Sequence, residues 1–505
     1  MPPNILLITG DHVRADALAG TAGSVSDTGL HQACPLPALD RLCRQGNAFT
    51  HAFAANPICV PSRASITSGR YPHHCLGLKG NYGGILEGQP KVAEHFAAQG
   101  YRTCAIGKLH YLPYTPPNEP TVLHGFQHAE LCEEGRMIAK FGREKGQEAY
   151  HDFMSEQGWG GYERSHGIGN NDVHPASVPF PADLHEEAWV AQRATAWMDT
   201  QASSDQPWLM WASFTKPHPP YDPPAPYDRM IDPRHISAPF LAEMTDEECM
   251  LRDPDVCRRK YQYGWDTLSP QALQVIRAHY MGLMAFQDAM IGRMLEKLDA
   301  LGIMDNTLIV YSSDHGDLLG DFGRFFKSCL FDASARIPLV IKPPLSAEYS
   351  PGSRDQLCSL IDLLPTFCDI ANIPTPEGLD GQSLRPVLQD ASVEIRELVV
   401  TQTLDPGQQK YMLRTRRWKY CYHELGATEE LYDAEGDYEK TNLAAKPEMQ
   451  SLLKEFREHL RNWCQDNGDE AMLDPKQATG LAVTPIPEGY ERAEIKPSNF
   501  GWRHY

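Results

Sequence analysis

The chain has no stretch that stays apolar for anything near the ~20 residues a membrane-crossing helix needs, so its 505 residues read as a soluble protein with no membrane partner. Positive charge is scarce: 46 Lys and Arg face 66 Asp and Glu, a formal net charge of −20. Nucleic-acid binders neutralise phosphates with clustered cations, and that class is excluded. A small anionic substrate is not excluded, because a few buried cations can govern a site locally. The opening MPPNILLITGD lacks the charged start and long apolar run of a signal peptide. The thirteen cysteines are odd in number and lack the spacing of a disulfide framework. Reduced thiols and a cytoplasmic location are expected, or a periplasmic or secreted one if a signal has been removed.

What is present is a large, core-forming α/β pattern. Hydrophobic residues make up 42% and charged residues 22%, a globular balance. The length exceeds the usual prior of about 100–200 residues per domain. Asn4–Ile8 is a short apolar run ending in Gly10-Asp11, which predicts a buried strand. Tyr101–Ile106, Trp208–Phe214, Thr307–Tyr311 and Leu339–Ile341 read the same way. Between them lie helical patterns at Pro37–Gln45, Lys91–Gln99 and Leu357–Ile370. A long helix starts at Ser269-Pro270, with Tyr280, Leu283, Met284, Ile291, Leu295 and Leu298 on one face. Strands alternating with helices predict a large, mainly parallel sheet sandwiched by helices, over residues 1–385. Within it, 113–181 is Gly-, His- and Glu-rich with weak periodicity and reads as an inserted lid or substrate region. Short antiparallel strands at Leu398–Thr403, Tyr411–Arg414 and Trp418–Tyr422, then a helix over Pro447–Trp463, predict a smaller α+β subdomain at 386–465. Residues 466–505 read as an extended tail, which gives a homo-oligomer a place to form.

Ligands of such sheets bind beyond the carboxyl ends of the strands. Asp11, Lys108, His110, Lys216, His218, Asp314 and His315 all follow predicted strand ends. The two Asp-His pairs, Asp11-His12 and Asp314-His315, are suited to a hard divalent cation, with the imidazoles shifting the choice towards manganese. Arg63, Lys108, His110, His218 and Lys327 form a cationic set suited to a tetrahedral oxyanion, with histidine able to protonate a leaving group. Lys216, two residues before His218, projects differently.

The string Cys59-Val60-Pro61-Ser62-Arg63, followed by Ile66-Thr67-Ser68-Gly69-Arg70, resembles the signature of the type I sulfatases, formylglycine-dependent members of the alkaline phosphatase superfamily. Gly107-Lys108-Leu109-His110 resembles their Gly-Lys-Trp-His element, and Lys216-Pro217-His218-Pro219-Pro220 their Lys-Pro-His segment. Ser313-Asp314-His315-Gly316 with Lys327 resembles their second metal segment. Leu431-Tyr432-Asp433, Glu439 and Thr441-Asn442-Leu443 resemble their C-terminal pattern. The likeness runs from Asn4 to at least Leu443, in order.

The resemblance implies an alkaline-phosphatase-like fold and hydrolysis of a sulfate ester to alcohol and inorganic sulfate. A maturing enzyme would oxidise Cys59 to Cα-formylglycine, whose hydrate would attack sulfur and pass through a sulfated geminal diol. Asp11, residue 59, Asp314 and His315 would hold one divalent ion, calcium by expectation, with manganese or magnesium as alternatives. Arg63 would stabilise the diol, and Lys108 and Lys327 would neutralise sulfate oxygens. His218 would protonate the leaving alcohol, and His110 would accept the second diol proton. The sequence departs from the pattern at His12, where a second Asp is usual, and at Ser68 for threonine. His12 is then either a ligand or a neighbour of one.

The substrate is expected to be a sulfate ester, a carbohydrate sulfate by the Lys-Pro-His likeness. Tyr114, Trp159, Tyr162, His166 and His174 are candidates for sugar stacking, and Asn81 for contact with the anion. The alternatives are a phosphonate monoester hydrolase or phosphodiesterase of the same superfamily, which tend to lack the Lys108–His110 pair, and a non-catalytic binder of sulfated ligands.

Overall fold

The protein is described by a computed structural model covering residues 2–490 apart from 24–27, 78–79, 117–118, 143–145, 147, 242–244, 263 and 437, and apart from the side chains of 260–262. In chain order the strands are β1 (Asn4–Gly10), β2 (Asn47–Phe49), β3 (Ala52–Phe53), β4 (Arg102–Gly107), β5 (His128–Leu131), β6 (Trp208–Ser213), β7 (Thr307–Ser313), β8 (Leu339–Lys342), β9 (Gly352–Arg354) and β10 (Cys358–Ser359). β11 (Val399–Thr403), β12 (Lys410–Arg414), β13 (Trp418–His423) and β14 (Thr428–Asp433) follow.

Eight of these strands form one sheet in the order β5-β4-β6-β1-β7-β8-β2-β9. It is mainly parallel: β1 pairs in parallel with β6 and β7, and β4 with β5 and β6. Only β8 runs against its neighbours. The apolar runs are continuous because both faces are covered. Leu6, Ile8, Ile309 and Tyr311 face one core with the long helix Pro270–Ala300, while Ile5, Leu7, Leu308 and Val310 face another with Leu363, Leu364 and Phe367. The long helix begins as expected: Ser269 Oγ accepts from Ala272 N at 3.1 Å, and all six predicted face residues are buried.

The region 113–181 supplies β5 to the sheet edge and buries Tyr150, Met154 and Phe180 in the first core. Two expectations need correction. Leu357–Ile370 is not one helix: β10 pairs with β3, and the α-helix begins only at Leu363, after a capping turn on Ser359. The C-terminal antiparallel sheet runs β11-β12-β13-β14 and is covered by the helix Gln450–Asp466. Beyond that helix the chain does not run out as a tail. Met472 and Leu481 are fully buried on this sheet, and Leu425 bridges Thr484. Residues 491–505, the rest of the expected tail, lie outside the described residues. Among the described residues no helix is long and apolar enough to cross a membrane.

Candidate active site

The strand ends converge. Gly10 sits opposite Ser313, and both Thr9 and Gly107 sit opposite Ser213, so Asp11, Lys108 and Asp314 emerge side by side. At Gly107 the backbone has φ 97°, and a Cβ would overlap the Ser213 carbonyl, so glycine is required just before Lys108.

Cys59 opens the helix Cys59–Ser68, all ten residues of which are buried. Pro61 is tolerated because its missing N–H falls among first-turn groups that have no partner within the helix. Gly69, at φ 67°, ends it in the left-handed conformation. Several of its polar side chains bond locally or to the strand ends. Ser62 Oγ donates to Asp314 O at 2.6 Å, and Thr67 Oγ1 to Arg63 O at 2.7 Å. Arg63 binds the assembly together: Nε donates to Asp314 Oδ2 at 3.0 Å, and Nη1 to Lys108 O at 2.6 Å and Ser213 Oγ at 2.9 Å. Asn81 does not reach into the site with its carbonyl, which accepts from Val60 N at 3.2 Å and steadies the start of the helix.

The Cys59 sulfur lies at the positive end of this helix, 3.2 Å from His315 Nε2 and 3.9 Å from Asp11 Oδ1. Burial alone would raise its pKa, but Lys327, His315 and Lys108 together hold the thiol well below its ordinary value. Ligating atoms of Asp11, His12, Cys59 and His315 all lie within 4.8 Å of one another. His12 is thus inside the donor group that the sequence left open. Asp314 stands beside it, with Oδ1 3.7 Å from His315 Nε2 and Oδ2 held by Arg63.

The residues present fit a divalent cation. His12 Nδ1 donates to Asp317 Oδ2 at 2.7 Å and His315 Nδ1 to Gly316 O at 2.9 Å. Both rings are therefore fixed with the Nε2 lone pair free for a ligand role. The His12 lone pair and the Asp11 carboxylate already face cationic groups: Lys327 meets His12 Nε2, and Lys108 meets Asp11 Oδ2.

The residues expected to act as acid and base surround this cluster. The His218 ring lies 4.5 Å from that of His12, edge to face. Burial, then the Lys108 and Lys327 cations, hold His218 well below the usual imidazole range, with Glu134 opposing them. His110 sits beside Cys59 and is pushed down to about 4 by burial and by Arg136. The Lys108 ammonium is held up, against burial and Arg136, by Asp11 and Glu134. His12, His110 and Glu134 all have left-handed backbones, at φ 70°, 54° and 56°. Each such non-glycine residue costs on the order of 1–3 kcal/mol, and such strain clusters at functional sites.

Every predicted site residue is therefore in one cluster. Lys216 is not: its ammonium turns away to Asp222 Oδ1 at 2.6 Å and Glu186 Oε1 at 3.2 Å. Of the proposed stacking residues, only Tyr114 is beside the site, parallel to the His110 ring. Trp159 packs on Tyr162 and Phe180, His166 pairs with Asp222 and His174 with Asp172. Sequence reasoning missed Glu133, Glu134, Arg136 and Asp317. Glu133 accepts from the N–H groups of Leu109 and His110 and from Tyr114 Oη. The missed acids Glu133 and Glu134 also follow a strand end, that of β5.

The sulfatase family model matches residues 3–373, and the model described as N-sulphoglucosamine sulphohydrolase, C-terminal, matches residues 320–466. An arylsulfatase of Clostridium perfringens (strain 13 / Type A) is 27% identical over 478 residues, covering 91% of this chain and 94% of that protein. A choline-sulfatase of Rhizobium meliloti (strain 1021) is 29% identical over 506 residues, covering 96% and 92%. Among solved structures, a phosphonate monoester hydrolase from Silicibacter pomeroyi has a TM-score of 0.77 at 24% identity, covering 95% of this chain and 99% of that one, a likeness of fold.

Proposed function

The chain belongs to the sulfatase family and hydrolyses a sulfate ester; on that premise we propose that it does so through residue 59, oxidised to Cα-formylglycine, beside one divalent cation. The observation that carries this reading is the position of the Cys59 side chain, 3.2 Å from His315 Nε2 inside the four-donor group and ringed by Lys108, Lys327 and His110.

Asp11, His12, residue 59 and His315 would hold the cation, with Asp314 beside them. When bound, it supplies Lewis acidity to the attacking hydroxyl and to the sulfate oxygens. Calcium suits the carboxylates, and manganese is the second reading that the two imidazoles favour.

Arg63 orients residue 59 through its grip on Asp314 and the Lys108 carbonyl. Lys108 and Lys327 neutralise sulfate oxygens in a site where burial strengthens each charge. His218 Nδ1 donates to Pro219 O at 2.7 Å, so a proton for the leaving oxygen must be carried on Nε2 of the imidazolium form, which Glu134 favours against burial. His110, neutral above about pH 4, takes the proton that releases sulfate. We assign this machinery to a catalytic unit at 1–385 and the covering α+β unit to 386–465, continued by the packed segment to Thr484.

For the substrate we favour a carbohydrate sulfate over the cationic ester named for the choline-sulfatase relative. Arg136, one-fifth exposed and paired with the buried Glu134, brings a guanidinium beside the cluster that suits the hydroxyls and acidic groups of a sulfated sugar. The Lys108–His110 pair favours sulfate over phosphonate. Two measurements test this reading. Mass spectrometry of the peptide spanning residue 59 from protein coexpressed with a maturing enzyme should show conversion to formylglycine. That protein should turn over an aryl sulfate faster than an aryl phosphonate; unconverted Cys59 in fully active protein, or the opposite rate order, overturns the reading.

A further inference from the structure

Glu134 joins two groups that the reaction uses, and no motif contains it. It follows β5 in a left-handed backbone, φ 56°, with a fully buried side chain. Oε2 accepts from Lys108 Nζ at 2.7 Å and also meets Arg136 Nη1. Oε1 has no hydrogen-bond partner and lies 3.4 Å from His218 Nδ1. A carboxylate buried with an unpaired oxygen is costly, and a strained backbone holding it there adds to the cost. Neither is needed merely to neutralise Lys108, because Asp11 already touches the same ammonium.

We propose that Glu134 is a positioning residue that sets Lys108 and His218 in register, one oxygen to each. The cation on the sulfate oxygens and the proton donor to the leaving oxygen then approach the same sulfur together. Nδ1 of His218 lies between Pro219 O at 2.7 Å and Glu134 Oε1 at 3.4 Å, so the carboxylate limits the tilt of the ring about its backbone contact. Nε2 makes no hydrogen bond among the described residues and is the nitrogen so aimed. Arg136 Nη1 meets the same Oε2 and also donates to the Glu133 backbone carbonyl at 3.2 Å, which ties that side of the carboxylate to the neighbouring backbone. Misplacing an acid by about 1 Å can cost on the order of 100-fold in rate. The inference rests on the sulfatase reading above.

The test uses the matured full chain and a series of aryl sulfates with leaving groups from 4-nitrophenol to phenol. Glu134→Gln keeps the size and loses the charge. It should lower kcat/KM about 10–100-fold for the poorest leaving group and less than about threefold for 4-nitrophenyl sulfate, steepening the leaving-group dependence. Glu134→Asp should give an intermediate slope. In a His218→Asn background, Glu134→Gln should steepen the slope no further. An equal loss across the series, or a further steepening without His218, overturns the proposal and leaves the sulfatase reading standing. If Glu134→Gln does not fold, Glu134→Asp carries the same comparison. Wild-type protein inert to every aryl sulfate but active on an aryl phosphonate overturns both.

Discussion

His12 and Asp317 are joined ring nitrogen to carboxylate at 2.7 Å, and neither side chain is exposed. The same Asp317 oxygen accepts from Tyr221 Oη at 3.0 Å, and the other accepts from the N–H groups of Leu319 and Phe326. A carboxylate on the far nitrogen of an imidazole fixes its tautomer and makes the near nitrogen a better ligand. Asp317→Asn is therefore expected to weaken divalent-cation affinity about 10–100-fold. Metal competition against a chromophoric chelator measures it, with no need for turnover. An unchanged affinity would remove His12 from the ligand set.

Arg63 is expected to resist even a lysine. Its guanidinium serves Asp314, the Lys108 carbonyl and Ser213 at once, and one ammonium cannot reproduce that fork. Arg63→Lys leaves buried acceptors unpaired, at about 1–3 kcal/mol each. A drop in the unfolding midpoint should accompany a loss of roughly 100-fold or more in kcat. Wild-type kcat in the lysine variant would mean that Arg63 only fills space.

The pH profile should respond to Arg136. Burial and the Arg136 cation depress His110 to about 4, so the ring is a free base throughout the neutral range. Replacing Arg136 with methionine removes the larger of the two cations that depress it, and the His110 pKa must rise. The ring is then protonated at a higher pH than before, which removes the base sooner on acidification. The acid limb of kcat/KM should move upward by about one unit. A shift to lower pH, or no shift, contradicts His110 as the base.

Cutting the chain after Gly468 should destabilise a protein whose catalytic residues are all still present. The cut removes Met472 and Leu481, both fully buried, and the Asp469 carboxylate that accepts from Tyr411 Oη. At about 1.5–3 kcal/mol for each buried apolar side chain, a loss of roughly 3–6 kcal/mol is expected. Urea unfolding measures it directly, and a truncated form as stable as the whole would show that the packing of 469–484 contributes nothing.

Where the sequence could be read, it was read through strand ends. The apolar runs of β1, β4, β6 and β7 are long enough to see, and each points to residues that the fold brings together. β5 is His-Ala-Glu-Leu, with no apolar run, so Glu133 and Glu134 just beyond it went unnoticed although they obey the same rule. The rule gives a place and not a direction: Lys216 follows β6 as predicted, yet its ammonium is captured by Asp222 and Glu186 on the other side. Met472 and Leu481 were hidden because single apolar residues in a Pro- and Gly-rich stretch have no period. The proposed oxidation of Cys59 belongs to a different category. No local physics turns a thiol into an aldehyde, and only the resemblance of the whole string points to it.

Cys59 is 2% exposed, and its helix is buried from first residue to last. An oxidising enzyme that must grip the backbone from Cys59 to Arg63 has no approach to it once the sheet and helices have closed. The proposed reaction at this sulfur would therefore come early, on a chain not yet folded. Protein that collapsed first would be shut away as an ordinary thiol, and the fraction of converted molecules would be decided by a race between two rates during biosynthesis.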